Sequence, residues 1–183
     1  MNIIVIGMRG AGKSNVSRRL SVLTKRTVLS SDTQIEYENA GQTIADFVAA
    51  NDGAGNAGWR AFRELEYQVI KKIAKMDGVI VDCGGGVIVD LDKKGNEVYS
   101  ARKVKALKKN GVVVWLKGDI ERLVEKVKNK AERPTLDLTK STEEVMRRRL
   151  PFYERAADIT LDITGQKRQA LAQTIFETLA DRL

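Results

Sequence analysis

A chain of 183 residues holds one domain with a full core and leaves little room for a second. Hydrophobic residues at 43% and charged residues at 31% suit a globular protein, and no apolar run approaches the length of a membrane span. The formal net charge of +8 asks for an anionic partner, yet aromatics are only 5% and basic residues scatter over helix faces such as Arg102, Lys103, Lys105, Lys108 and Lys109. This argues against a nucleic-acid surface, which wants a basic stripe with stacking rings; polyanionic small molecules explain the excess charge better. Cys83 is the single cysteine, so no internal disulfide can form, and the absence of histidine excludes a histidine base or ligand. A chain that enters a strand at once carries no leader on this reading and belongs in the cytoplasm.

The first element is an apolar run, residues 2–6, and it leads without a gap into Gly7-Met8-Arg9-Gly10-Ala11-Gly12-Lys13-Ser14. This matches the phosphate-binding pattern Gly-x4-Gly-Lys-Ser/Thr between a buried strand and a helix running from about Lys13 to Thr24, with Val16, Leu20 and Leu23 on one face. Glycines let the loop turn its N–H groups inward, and the helix N-terminus adds partial positive charge. Lys13 would reach the outer phosphates of a nucleoside triphosphate, and the Ser14 hydroxyl would ligate Mg²⁺.

Further apolar, β-rich runs at residues 27–29, 78–82, 112–116 and 159–163 alternate with helical stretches. The alternation predicts an α/β fold of three layers: a five-stranded, mainly parallel sheet with helices on both faces, in one domain over 1–183. Asp32 to Ala40 reads as a short helix stopped by Gly41, and Thr43 caps a helix from Ile44 to Ala50. Asn51 to Gly58 reads as a loop and Trp59 to Met76 as the longest amphipathic helix, so substrate-binding helices are expected over about 32–76. Val87 to Tyr99 alternates around Asp92-Lys93-Lys94-Gly95-Asn96 and predicts a β-hairpin excursion over about 87–99, with metal-ligand spacing that fails for a calcium loop. Asp119 caps a helix to about Lys128, and residues 130–140 lack apolar periodicity, as a mobile lid would. Ser141-x-x-Glu144 is a capping box opening a helix that ends near Leu150, and Gln166 to Leu183 reads as a terminal helix.

In open α/β sheets ligands collect at the carboxyl ends of the strands. Besides the phosphate loop, three features fall there or close by. Ser30-Ser31-Asp32 offers Asp32 to accept a hydrogen bond from a substrate hydroxyl, with helix capping as its alternative use. Asp82-Cys83-Gly84-Gly85-Gly86 sets three glycines where backbone must approach a ligand, and Asp82 stands where phosphate-loop enzymes keep an acid near Mg²⁺. The two prolines of the chain each follow an arginine closely, Arg133-Pro134 and Arg149-Leu150-Pro151, which stiffens the backbone presenting a guanidinium suited to carboxylate or phosphate.

Together these motifs resemble the shikimate kinases of the nucleoside-monophosphate-kinase branch of phosphate-loop (P-loop) proteins. The resemblance rests on Gly7–Ser14, Asp32 with Ile35-Glu36, Gly41-x-x-Ile44-x-x-Phe47, Phe62-Arg63-x-x-Glu66, Gly84–Gly86, Arg133-Pro134 and Arg149-x-Pro151-x-Tyr153. It implies MgATP-dependent transfer of the γ-phosphoryl to a hydroxyl of shikimate. Gly10, Ala11, Gly12, Lys13, Ser14 and Asn15 would line the phosphate site, and Gln166 would contact adenine. Asp32 would orient the attacking hydroxyl, Arg63 and Arg149 would clamp the carboxylate, and Gly84, Gly85 and Gly86 would floor the pocket. Arg133 on the lid would close over ATP, and a monomer is implied.

Three departures accompany the resemblance. Where the family shows Asp-x-Asp after the second strand, this chain has Ser30-Ser31-Asp32, so the expectation is that Asp82 takes the metal role beside Ser14. Asn15 replaces a common second hydroxyl residue. Extra sequence stands at Gly53–Ala57 and around Leu91–Ser100. A related kinase for another hydroxy acid and a binding protein that has lost turnover are the alternatives.

Overall fold

The computed structural model describes residues 1–53, 56–128 and 141–182. In chain order the elements are β1 (Asn2–Ile6), α1 (Lys13–Thr24), β2 (Val28–Ser30), α2 (Ser31–Glu38), α3 (Ile44–Ala50) and α4 (Ala57–Ile73). They continue with β3 (Ile80–Asp82), β4 (Val89–Leu91), β5 (Glu97–Tyr99), α5 (Ala101–Lys108) and β6 (Gly111–Lys117). The last are α6 (Ile120–Lys128), α7 (Thr142–Ala156), β7 (Ile159–Asp162) and α8 (Arg168–Leu179), closed by a 3-10 turn at Ala180–Arg182.

Five strands form an all-parallel sheet in the order β2-β3-β1-β6-β7. Every residue of β1 and the run Val112–Leu116 of β6 are buried, the mark of central strands covered on both faces by helices. The register aligns Ser30 with Asp82 and Asp82 with Val5, so β1, β2 and β3 end at one level. That alignment brings the phosphate loop, the start of α2 and the triple-glycine turn to the same edge.

The caps read from sequence hold. Thr43 accepts from the Asp46 N–H at 3.1 Å, and Asp119 from the Arg122 N–H at 3.0 Å. Ser141 and Glu144 close the reciprocal box, with the Glu144 N–H donating to Ser141 Oγ at 3.2 Å and the Ser141 N–H to Glu144 at 2.7 Å. Gly41, at φ +81°, donates its N–H to the Glu36 carbonyl and ends α2. The hairpin β4–β5 is present too, and Asp92 accepts from the Lys94 and Asn96 N–H groups at 2.8 and 2.9 Å, so its carboxylate organises the turn.

Several boundaries differ from expectation, among them α2, which ends at Glu38 and not Ala40, and α4, which starts at Ala57 within the expected loop. β2 ends at Ser30, one residue later than the pattern indicates, and β3 is shorter, because the residues before Ile80 lie outside the sheet. The long helix spans Ala57–Ile73, ending three residues before Met76. Gln166 precedes α8 and does not belong to it. The helix expected to stop near Leu150 runs through Pro151 to Ala156. A proline inside a helix costs about 3 kcal/mol, and here Tyr153 and Ala156, both fully buried, hold the last turns against the sheet. Tyr153 stacks on Trp115 at 5.7 Å between ring centroids. The expected lid over 130–140, with Arg133, lies outside the described residues, as do Ala54 and Gly55 of the first insertion.

Candidate active site

The phosphate loop has the geometry an anion needs. Gly10 and Gly12 both sit at φ +85°, where a side chain would be strained. Helix α1 opens at Gly12 with no side-chain cap and no acid in its first turn, so its positive end is open to an anion. Ala11 is buried under the loop. Lys13 folds back over it, its Nζ donating to the Met8 carbonyl at 3.2 Å. Asn15 turns its side chain outward to accept from Arg19 Nε at 2.9 Å. Sequence reading missed Arg168 in this region. A Cβ on Gly12 would lie 2.5 Å from Arg168 Nε, so the guanidinium crosses the loop directly. Exposed Gln166 stands two residues earlier, its carbonyl facing Arg168 Nη1 at 3.4 Å.

At the end of β2 three consecutive residues divide the work. Ser30 caps α2 by accepting from the Thr33 N–H at 3.3 Å, so capping does not fall to Asp32. Ser31, fully buried, accepts the Gly84 N–H on its Oγ at 2.8 Å and ties α2 to the glycine turn. Asp32 lies in the first turn of α2 with its carboxylate against Gly84. Asp82, mostly buried, is the register partner of Ser30, which puts a carboxylate one strand over from the missing acid. Burial pushes the thiol of the neighbouring Cys83 far up, so it has no thiolate chemistry to offer.

The three glycines face three partners. A Cβ on Gly84 would meet Asp32 Oδ1 at 2.3 Å, one on Gly86 would meet Arg63 Nη2 at 2.6 Å, and one on Gly85 would touch the Arg9 N–H of the phosphate loop at 3.5 Å. One turn therefore packs against the candidate acid, a clamp arginine and the phosphate site at once. At Gly84 and Gly86 a Cβ would push the Asp32 and Arg63 side-chain ends away, while at Gly85 it would make an ordinary contact.

The arginines sit in a buried ionic cluster. Arg63 donates from Nη1 to Glu66 at 2.8 Å and to the Gly86 carbonyl at 3.0 Å, while its Nε finds no partner among the described residues. Its guanidinium lies over the Phe62 ring at 5.2 Å. Lys103 closes on Glu66 at 2.6 Å with its side chain fully buried, correcting the expectation of a solvated helix face. Burial pulls the Lys103 amine down from its usual range, and Glu66 and Asp90 work against that. Arg149 donates to the Gly85 carbonyl at 3.2 Å and holds Glu97 with two nitrogens. Burial raises the Glu97 carboxyl, and Arg149 and Arg148 outweigh that and hold it below the usual range. Tyr153 also donates to the Gly85 carbonyl, and burial pushes its phenol well up, so it stays a donor. Glu97 and Lys103 escaped sequence reading because alternation in a hairpin and period in a helix do not reveal which charges meet.

A parallel sheet with a glycine-rich phosphate loop, an acid at the end of β2 and inward arginines defines a P-loop kinase that acts on a small acceptor. The shikimate kinase family model matches residues 9–180. The chain is 45% identical over 177 residues to the shikimate kinase of Leptospira biflexa, covering 97% of this chain and 94% of that protein. It is 40% identical over 178 residues to the enzyme of Leptospira borgpetersenii, covering 97% of each. Its fold matches the shikimate kinase of Acinetobacter baumannii solved in complex with shikimate, with a TM-score of 0.77 and 27% identity over 100% of this chain and 94% of that one. The chain belongs to the shikimate kinase family, and is an ATP-dependent kinase of that family.

Proposed function

We propose that this chain phosphorylates shikimate at a ring hydroxyl, using MgATP and yielding shikimate 3-phosphate, as a monomer in the cytoplasm. The observation that carries the reading is the triple-glycine turn, which touches Asp32, Arg63 and the phosphate loop within three residues. An acceptor lying on that turn would have its hydroxyl beside Asp32 and its carboxylate beside Arg63 and Arg149, with the phosphate loop packed against the turn at Gly85. The unpartnered Nε of buried Arg63 is a donor that a substrate carboxylate would satisfy.

The residues present fit the nucleotide and its metal. Gly10 to Asn15 supply the anion cradle, and Ser14 and Asp82 supply the hard oxygen donors Mg²⁺ prefers. When bound, the metal neutralises charge on the phosphates. Lys13 leaves its Met8 carbonyl to meet the outer phosphates, and Asp32 accepts the acceptor hydroxyl's proton-bearing hydrogen bond and fixes the direction of attack. The resemblance gives Arg133, outside the described residues, the role of covering the nucleotide and excluding water, and gives Gln166 the contact with adenine. A nucleotide acceptor would need an aromatic or apolar base pocket, and the cluster of Arg63, Glu66, Lys103 and Arg149 offers ionic groups instead.

An acceptor panel tests the reading. With MgATP, coupled ADP release is expected for shikimate and not for quinate, gluconate or nucleoside monophosphates. ADP release with another acceptor and none with shikimate would overturn it.

A further inference from the structure

Both arginines assigned to the acceptor's carboxylate are closed off, at 3% exposure for Arg63 and 5% for Arg149. What closes Arg149 is another carboxylate. Glu97 Oε2 accepts from Arg149 Nε at 2.9 Å, Oε1 accepts from Arg149 Nη2, and Arg148 Nη2 adds a third contact at 2.9 Å. The Glu97 side chain is itself 7% exposed. This is the side-on, two-bond grip an arginine fork gives a bound carboxylate.

The placement follows from two periods. In β5, Glu97 and Tyr99 share one side of the pleat while Val98 faces solvent. On α7, Phe152 lies four residues after Arg148 and three after Arg149, and Arg155 lies three after Phe152, so these side chains share one side of the helix. Tyr99 packs on Phe152 at 6.2 Å and under the Arg155 guanidinium at 4.3 Å. The hairpin is therefore anchored to α7 by Tyr99 independently of Glu97, whose three side-chain torsions can release Arg149 without undocking the strand.

We propose that Glu97 is an internal stand-in for the acceptor's carboxylate. It occupies the Arg149 fork until a substrate carboxylate displaces it, and so makes Arg149 answer to anionic acceptors while a neutral polyol has nothing to exchange for the pair. Keeping Arg149 paired in the free enzyme also avoids a buried uncompensated charge. The extra sequence around Leu91–Ser100 thus sets acceptor selectivity. The proposal rests on Arg149 contacting the substrate carboxylate.

Displacement has a consequence for affinity, because a site competent only in a fraction of molecules binds with affinity reduced by that fraction. In Glu97→Gln, the KM for shikimate should fall about tenfold, with kcat and the KM for ATP unchanged. Turnover of the neutral methyl ester of shikimate should rise relative to wild type. Arg149→Met is the control for the underlying assignment, and should raise the shikimate KM. A Glu97→Gln KM that rises or stays the same, while Arg149→Met raises it, overturns the stand-in and makes Glu97 a positioning residue for Arg149. An Arg149→Met KM that does not change overturns the carboxylate assignment itself, and the stand-in with it. Wild-type protein gives an independent readout. Its structure with shikimate bound should show Glu97 more than about 4 Å from the Arg149 guanidinium, and a retained pair would overturn the proposal.

Discussion

Two atoms of hydrogen decide much of this site. Gly84 and Gly86 let Asp32 and Arg63 lie on the backbone, and a methyl group at either would overlap them at 2.3 or 2.6 Å. Gly84→Ala should move the Asp32 carboxylate and lower kcat by at least about tenfold, since misplacement near 1 Å costs up to about a hundredfold. Circular dichroism should remain native, and an alanine variant of full activity would show that Asp32 does not orient the acceptor. At Asp82 the expectation concerns the metal. Asp82→Asn should raise the Mg²⁺ concentration needed for half-maximal rate sharply at saturating ATP, and an unchanged Mg²⁺ dependence would remove Asp82 from the metal site. The placement of both glycines and both acids at strand ends was legible in the sequence, because a phosphate loop and a triple glycine after apolar runs mark those ends. The roles of Ser31 and Glu97 were not. A buried serine between two better-known positions and a glutamate in an alternating hairpin look like ordinary residues until the backbone brings Gly84 and Arg149 to them.

Among the elements, the hairpin and α5 form an ionic bracket under the pocket. Ser100 caps α5 and donates to Asp90 at 2.7 Å, Arg102 holds Asp90 and Glu64, and Lys103 runs inward to Glu66 and the Val89 carbonyl. Removing one partner of a buried pair costs about 3–5 kcal/mol, so Lys103→Met should lower Tm by about 6 °C or more in a chain of this size. Thermal unfolding followed by circular dichroism measures it; a loss under about 2 °C would mean Glu66 is satisfied by Arg63 alone. Asp90 supplies a pH signature. Burial raises its carboxyl, but the Arg102 bond and the Lys103 charge outweigh that and hold it at about 2, below its ordinary 3.8. A carboxyl depressed in the folded state adds stability above its unfolded value and loses it as pH falls from 3.8 toward about 2. The acid limb of stability against pH should therefore flatten in Asp90→Asn. Helix caps at Thr43, Asp119 and Ser141 were readable because each is a local rule. The end of α7 was not, since burial of Tyr153 and Ala156 against distant strands, a nonlocal gain, carries the helix past Pro151.

Over the whole molecule, the strand order β2-β3-β1-β6-β7 puts the phosphate loop at the centre of the sheet, with Asp32 and the triple-glycine turn after β2 and β3 on one side and Arg149 on α7, which packs on β6, on the other. The order of apolar runs predicts a parallel sheet but leaves the strand order open, and it is the order that makes Ser30, Asp82 and Val5 level. Charge was partly legible. Several basic residues pair with carboxylates brought from far along the chain, as in Arg149 with Glu97 and, against its reading as an exposed helix charge, Lys103 with Glu66, and such pairs leave the net charge of +8 unchanged. No helix among the described residues is long and apolar enough to cross a membrane.

The central claim is that one turn aligns a shikimate hydroxyl with the terminal phosphate of ATP. Phosphorus NMR of the wild-type chain with MgATP and shikimate tests it most directly. The account predicts one phosphomonoester signal coupled to a single ring proton, growing in step with ADP. ADP accompanied only by inorganic phosphate, with shikimate unmodified, would contradict it.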